Sequence, residues 1–540
     1  MPTVIDARIP PPLDVARLAP RKASLESEAV LLFDNDKLKP EYGPYQVIFD
    51  VIGTELSKRY PGVELRTHVD DLLVGGIDRL GSVADEIAAS GASGVVIALC
   101  DWGVSQPTAI FAAELERRGV PTSIVATEVG SRQVRATAQL LAPGLPVSTI
   151  RAIRGTTAIE IETETRRVLD QVVDGLVAPT DRLIEQFHAL NLDPPPMGDG
   201  TGFLEIDGED LSIAFTLAME EAGLGDGMPL IAPTPERVDA FLAAASLDPD
   251  GAVWAPVPPR TTPVTGREVA AIAVMAGSRP RWAPVVAAAF EAMSHPGFRL
   301  FQSAITTHPS GTLVFVSGPD TAKYGIASGR GCLGPGFAAN ATVGRTVSLS
   351  YSFLLGSQPG RADLTSQGSP AEYSYCCGEN LAESPWKGLS ADTFDEQTTT
   401  VTVLKCEGPH NLLEDYRTDP PGILDTFASS MATLGANNAY VAGAQVMLML
   451  NPDHARMIAK AGWSKADVQS YLFDVARNPS ADLAGRGIGR IQPRWFRAAE
   501  RVPVVPDPSD FLVTVVGGGG PASQFATPWG YSRAATVPIT

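Results

Sequence analysis

Through the first third of the chain, short apolar runs alternate with longer amphipathic stretches. Apolar runs lie at residues 29–33, 95–99 and 120–126, and further strand-like stretches at 63–69 and 145–153. Helical three-to-four spacing marks 44–60, 77–90, 107–118 and 158–177. Short continuous apolar runs suit strands buried on both faces, and the longer patterns suit helices lying on them. The order predicts an α/β domain with a doubly wound parallel sheet, flavodoxin-like in size. Its clearest unit is 94–127. A polar loop at 100–105 follows the strand, and Pro107 opens a helix with Thr108, Phe111, Ala112 and Leu115 on one face. Glu114 and Arg118 stand four apart, and Gly119 ends the helix. The loop lies at the carboxyl edge of the sheet, where such folds place ligands.

The pattern breaks at 188–202, which holds three consecutive prolines and three glycines. This divides the chain into an arm (1–28), a sheet domain (29–187), a linker (188–202) and a larger mixed α/β domain (203–540). The large domain reads as helices at 210–222, 234–245, 265–276, 282–294, 423–434, 452–461 and 464–476. Strands are predicted at 313–317, 398–405 and 511–516, and 341–355 is a helix or a long strand. Residues 358–387 show no period, and irregular stretches of that length inside a domain are usually functional or disordered. Their aromatics and cysteines favour function. The arm is expected on the surface or on a neighbouring subunit of a homo-oligomer.

Composition narrows the class. A chain of 540 residues, 44% hydrophobic and 19% charged, is globular and too long for one core. A net charge of −19 argues against nucleic acid and anionic membranes as partners. No run reaches the ~20 apolar residues of a membrane helix, and no leader pattern is seen. Five cysteines without a CxxC pair exclude a disulfide scaffold and a thiolate zinc site, so a cytoplasmic protein with reduced thiols is expected.

Several groups carry candidate chemistry. Asp101, Trp102 and Ser105 sit in the sheet-edge loop beside Cys100, ahead of a helix start whose N–H groups suit an anion. Cys376, Glu379 and Asn380 lie in the irregular segment, and His410 and Asn411 follow the 398–405 strand. A thiol becomes a nucleophile when a base lowers its pKa, and His410 is the candidate base. Asn340, Thr342 and Arg345 follow a glycine-rich loop, and an arginine there would clamp a carboxylate or phosphate in two-point fashion. No cofactor is predicted. A divalent metal held by His308, His410 and Glu379 is a lesser option. Residues 517–520, four glycines after a strand, lack a phosphate-loop signature and read as a turn or a loop over a site.

Asn35, Lys37, the sheet-edge loop and the phrase Glu114-Leu115-Glu116-Arg117-Arg118-Gly119-Val120-Pro121-Thr122 resemble the UGSC family of (seleno)proteins. In that pattern Trp102 replaces the selenocysteine or cysteine, and Ser105 replaces the second cysteine. The large domain resembles the bigger protein that often accompanies the family. The likeness rests on Asp226-Gly227-Met228-Pro229, Ala273-Val274-Met275-Ala276-Gly277, Tyr373-Ser374-Tyr375-Cys376, Glu407-Gly408-Pro409-His410-Asn411 and Gly462-Trp463-Ser464-Lys465. The resemblance implies a fusion of two usually separate subunits with a shared site.

The expectation is an enzyme on a small anionic substrate, acting at the domain interface by Cys/His-assisted addition–elimination, hydrolysis or group transfer. Cys376, His410 and Glu379 would do the chemistry, and Arg345, Asn340, Thr342, Asn380, Asn411, Asp101, Trp102 and Ser105 would bind. The alternatives are a metal-assisted or non-covalent lyase or hydratase, and a binding or scaffold protein that has lost thiol redox chemistry.

Overall fold

A computed structural model describes residues 2–540, apart from 41–42, 73–77, 102, 153–154, 189–195, 440–444, 485, 487–498 and 531. Trp102 and part of the expected linker lie outside the described residues.

The five strand-like stretches become β1 (Ala29–Asp34), β2 (Glu64–Val69), β3 (Gly94–Cys100), β4 (Thr122–Thr127) and β5 (Val147–Ile150). All neighbours are parallel, in the order β2-β1-β3-β4-β5. This is the flavodoxin-like winding, with its switch point between β1 and β3. The helices are α1 (Val47–Arg59), α2 (Asp78–Ala89), α3 (Ser105–Arg117), α4 (Glu128–Leu141) and α5 (Ala158–Val177). Every residue of β3 and β4 is buried, as strands covered on both faces require. Periodicity did not predict α4. Its buried stripe of Val134, Ala138 and Leu141 is set among glycine, serine, threonine and charge, and it packs against α3 and the sheet.

The arm lies on its own chain. Thr3–Ile5 pairs antiparallel with Phe203–Glu205. Val4, Ile5, Ala16 and Leu18 are buried in the same apolar cluster as α3 and the helices Gly266–Ala276 and Ala283–Met293. Arg21 meets Glu116 of α3 in an ion pair whose two side chains are wholly buried. One apolar cluster therefore runs from the parallel sheet into the large domain.

The large domain contains two four-stranded sheets. The first joins β6 (Gly311–Ser317), β7 (Cys376–Gly378), β8 (Thr400–Cys406) and β13 (Ala535–Pro538) in the order β7-β6-β8-β13. The second joins β9 (His410–Leu413), β10 (Val446–Leu450), β11 (Phe511–Val515) and β12 (Ala522–Ala526) in the order β9-β12-β10-β11. Leu313, Phe315 and Leu404 of the first sheet share a cluster with Met447, Met449 and Ala526 of the second. Residues 338–355 form a helix, α6 (Ala338–Leu355), which packs on β6. The expected helix after Ser464 is present, and Ser464 and Asp467 form a reciprocal capping box. No helix among the described residues is long and apolar enough to cross a membrane.

Candidate functional site

At the sheet edge, Ser105 begins α3 and is fully buried. Its hydroxyl donates to the Asp101 carbonyl at 3.0 Å, and Thr127 Oγ1 donates to Asp101 Oδ1 at 3.1 Å. These two expected binding groups therefore tie β3 and α3 to β4. Burial pushes the Cys100 thiol up to about 12, so it stays protonated. Asn35, wholly buried at the end of β1, donates to Thr108 Oγ1 at 2.9 Å, and its Oδ1 has no partner.

The expected trio of Cys376, His410 and Glu379 is not assembled. Cys376 lies in β7 with its thiol in the apolar core, and burial drives its pKa far above the ordinary thiol range. His410 is exposed on β9, in the other sheet, with its ring edge-on to Phe525 at 5.4 Å. Glu379 is buried. It accepts from Ser317 Oγ at 2.5 Å and from the Leu389 N–H at 2.7 Å, and burial raises its pKa. No hydrogen bond or ion pair joins any two of the three among the described residues.

The binding residues of the large domain hold structure as well. Arg345 makes the two-point contact expected of it, but with Asp226 of the same chain, at 2.7 and 2.8 Å. Its Nη2 also donates to the carbonyls of Met228 and Pro229, and its Nη1 to the Ala276 carbonyl. Asn340 clamps the glycine-rich loop, accepting from the Ala327 N–H and donating to the carbonyls of Ala327 and Cys332. Thr342 Oγ1 caps back onto Ala338 within α6. Asn380 donates to the Gly517 carbonyl at 2.8 Å and to Glu383 at 3.1 Å. Asn411 is exposed and lines a second pocket, beside the glycine-rich residues 517–520. His308 pairs with Glu407, away from Glu379. Among the described residues no group of three or more His, Cys, Asp or Glu is placed to hold a metal.

A cavity of about 610 Å³ opens instead over β6, β8 and α6, under the irregular segment. Its residues come from Ser303 and Ala304, from β6, from α6 and from 357–373, with Lys405 of β8 at its base. Antiparallel register sets Lys405 opposite Thr312. Thr312 Oγ1 and Tyr351 Oη share a hydrogen bond of 2.9 Å, which fixes the phenol ring beneath Lys405 Nζ at 4.5 Å from the ring centre. Lys405 is only 5% exposed, and no hydrogen bond among the described residues engages its Nζ. A buried, unbonded ammonium is costly, because the low-dielectric surroundings favour the neutral amine. Burial accordingly lowers its pKa from 10.5 to about 8, against the opposing pull of Glu372 and Asp363.

The carboxyl groups around it differ in state. Asp226 is neutralised by Arg345. Asp363 accepts from the N–H and the hydroxyl of Thr365. Glu372 is raised by burial first and by Asp363 second, and its Oε1 is buried without a partner. The cavity thus holds an amine with a substantial neutral fraction, a carboxyl group biased towards protonation, and a wall of serine and threonine hydroxyls. Gln133 of α4 donates to the Ala362 carbonyl at 3.0 Å, so the N-terminal domain helps to hold the loop over this site.

Sequence reasoning missed Lys405 because it ended a strand read as apolar. The signal was present: a lysine continuing a β-branched buried run, with Cys406 after it, is the kind of buried charge that needs a reason.

No curated protein matches the chain. Among solved structures, one that is similar is a C2-type ketoreductase from a modular polyketide synthase, at 15% identity and a TM-score of 0.19. That match covers 28% of this chain and 37% of the ketoreductase chain. Residues 3–178, which comprise the arm and the five-stranded parallel sheet with its helices, match the family model of the UGSC family.

Proposed function

We propose that this protein is an enzyme of small-molecule metabolism whose active site is the Lys405 cavity, with a small polar carbonyl compound as substrate. The single observation that carries the reading is Lys405 itself: a buried amine facing a cavity with no hydrogen bond of its own. A lysine desolvated in this way is an effective nucleophile towards carbonyls. The neutral amine adds to the carbonyl carbon, and the carbinolamine expels water once its hydroxyl is protonated, with Glu372 as the acid. The resulting iminium draws electrons from a bond next to the former carbonyl, which allows cleavage or elimination. Water then returns the product and the free amine. This keeps the expected addition–elimination class and replaces Cys376 and His410 with Lys405 and Glu372.

The substrate reading also shifts. With Arg345 occupied by Asp226, the expected anion clamp is absent from the cavity, and serine, threonine and carboxyl groups around it suit a hydroxylated compound. We read the chain as a UGSC-like domain fused to its larger companion, supported by the apolar cluster common to both halves and by the Gln133–Ala362 bond at the cavity roof. Five free, buried cysteines fit a reducing, cytoplasmic setting.

The test is reductive trapping. Wild-type protein incubated with glycolaldehyde, glyceraldehyde or dihydroxyacetone and cyanoborohydride should gain one adduct, mapped to Lys405 and lost in Lys405→Met. Adducts confined to surface lysines, in the same yield in the variant, would refute the assignment.

A further inference from the structure

A pocket of about 600 Å³ lies where the arm, residues 198–203 and the large domain meet. The arm supplies Asp6 and Arg8 to it, and the large domain supplies Arg260, Thr262, Arg267 and Glu268. Its walls are tied together. Thr3–Ile5 pairs with Phe203–Glu205, the Asp6 N–H donates to the Gly202 carbonyl at 3.0 Å, and the Leu13 N–H donates to Thr261 Oγ1 at 3.0 Å. It shares no lining residue with the Lys405 cavity.

Arg260 is only 3% exposed, so its five N–H groups must be met from within the structure. Nε donates to the Thr262 carbonyl at 2.9 Å. Nη2 donates to the Pro263 carbonyl at 2.7 Å and to the two Glu268 oxygens at 2.7 and 2.9 Å. Nη1 is buried and has no partner among the described residues. The Thr262 hydroxyl, on the same pocket, is likewise buried and unpartnered. A buried donor left unmet is costly, and more so when it is charged.

The carboxylates of the pocket do not meet these donors, because they are engaged elsewhere. Glu268 also accepts from the N–H and the hydroxyl of Thr265, at 2.9 and 3.0 Å. Asp6 accepts from Arg8 Nε at 2.9 Å and from Arg8 Nη2 at 2.7 Å. Arg267 is held more weakly, since it reaches Asp250 only at 3.5 Å and that carboxylate is 84% exposed. The acceptors here are thus satisfied while donors are left over: Arg260 Nη1 and Thr262 Oγ1 in the interior, and the loosely paired guanidinium of Arg267 beside them.

Leftover donors of this kind call for an anion. One amino group of a guanidinium and one hydroxyl match the two oxygens of a carboxylate. A phosphate would bring further oxygens into a pocket that already holds Asp6 and Glu268. We propose that this pocket binds a small dicarboxylate, with one end on Arg260 Nη1 and Thr262 Oγ1 and the other on Arg267. The bound molecule joins the arm to the large domain. This inference is independent of the Lys405 reading.

The test uses the full chain and succinate, with acetate and inorganic phosphate beside it. Calorimetric titration at constant ionic strength should show one equivalent of succinate bound, about tenfold or more tighter than acetate. Saturating succinate should slow hydrogen exchange in peptides covering 5–10 and 260–268 and leave 303–312 and 357–373 unchanged. Thr262→Val removes the hydroxyl but keeps the carbonyl that Arg260 Nε uses, and should weaken succinate about tenfold or more. Arg267→Gln should bring succinate down to the affinity of acetate. Neither substitution touches the Arg260–Glu268 pair. The proposal fails if succinate does not bind at millimolar concentration, if protection appears at 303–312 or 357–373 instead, or if either variant binds succinate as wild type does. It also fails if phosphate binds more tightly than succinate. Because exchange is read on wild-type protein, the result does not depend on whether a variant folds.

Discussion

Lys405 Nζ stands over the face of the Tyr351 ring, 4.5 Å from its centre, on opposite sides of a strand–helix contact. The ring offers electron density but no acceptor able to satisfy an ammonium, so the lysine is held without being neutralised by a salt bridge.

This arrangement makes stability and labelling depend on pH. The Lys405 pKa falls from 10.5 in the unfolded chain to about 8 in the folded one. Below pH 8 both states are protonated, and the folded state bears a desolvation penalty of about 3 kcal/mol. As pH rises from 8 towards 10.5 the folded lysine deprotonates while the unfolded one stays charged, so the penalty is relieved over that window. Acylation of Lys405 in native protein, followed by mass spectrometry, should rise with a midpoint near pH 8, well below that of surface lysines. Lys405→Met should raise the melting temperature at pH 7 while abolishing imine trapping. A midpoint near 10.5 would show that the amine is solvated.

The three residues expected to catalyse should prove dispensable for chemistry. His410→Ala changes an exposed ring and should leave both turnover and melting temperature near wild type. Glu379→Gln keeps an oxygen for Ser317 and the Leu389 N–H, and should retain activity. Glu379→Ala leaves those donors buried and unpaired, and should lower stability by ~1–3 kcal/mol without altering imine trapping in the protein that stays folded. Denaturant melts and the trapping yield read these two effects separately.

The arm is fastened by a buried charge pair. Glu116 accepts from Arg21, from the Ala19 N–H at 2.6 Å and from the Thr122 N–H at 2.8 Å. Glu116→Ala should cost ~3–5 kcal/mol, because it strands a buried guanidinium. Removing both charges with Arg21→Met and Glu116→Leu should recover much of that loss. Chemical denaturation of Arg21→Met, Glu116→Leu and the double variant measures the difference, and additive losses would refute the coupling.

Gly130 lets α4 approach the sheet edge. A Cβ there would fall on the Cys100 carbonyl oxygen and close to the Asp101 Cα, and both are backbone atoms unable to turn aside. Gly130→Ala should therefore destabilise the protein by ~1–3 kcal/mol despite the better helix propensity of alanine. A variant as stable as wild type would show that α4 can shift.

Much of the parallel sheet was legible because its signal is local. The run at 95–99 is apolar at every position and 120–126 is apolar apart from Thr122 and Ser123, and so short a run between turn residues suits a strand covered on both faces. Helix α4 was not legible although Val134, Ala138 and Leu141 make a buried stripe, because the glycine, serine, threonine and charged residues around them mask it. Strands β9, β12 and β13 escaped because they are short and are defined by sheet partners distant in the chain, as in the Thr402–Thr536 pair, 134 residues apart. The candidate site followed this division. Chemistry-bearing residue types could be named, but a residue name carries no information about which partner satisfies it.

The sequence by itself determined the winding of the N-terminal domain and most helices of the large domain. These depend on periodicity and on turn residues a few positions apart. The tertiary structure alone decided which polar groups were already occupied and which faced an empty cavity. Arg345 meets Asp226, Glu379 meets Ser317, and Lys405 meets no hydrogen-bonding partner among the described residues. Reactivity in a protein depends on burial and on the groups left unsatisfied by it, and both are set by residues distant in the chain that packing brings together.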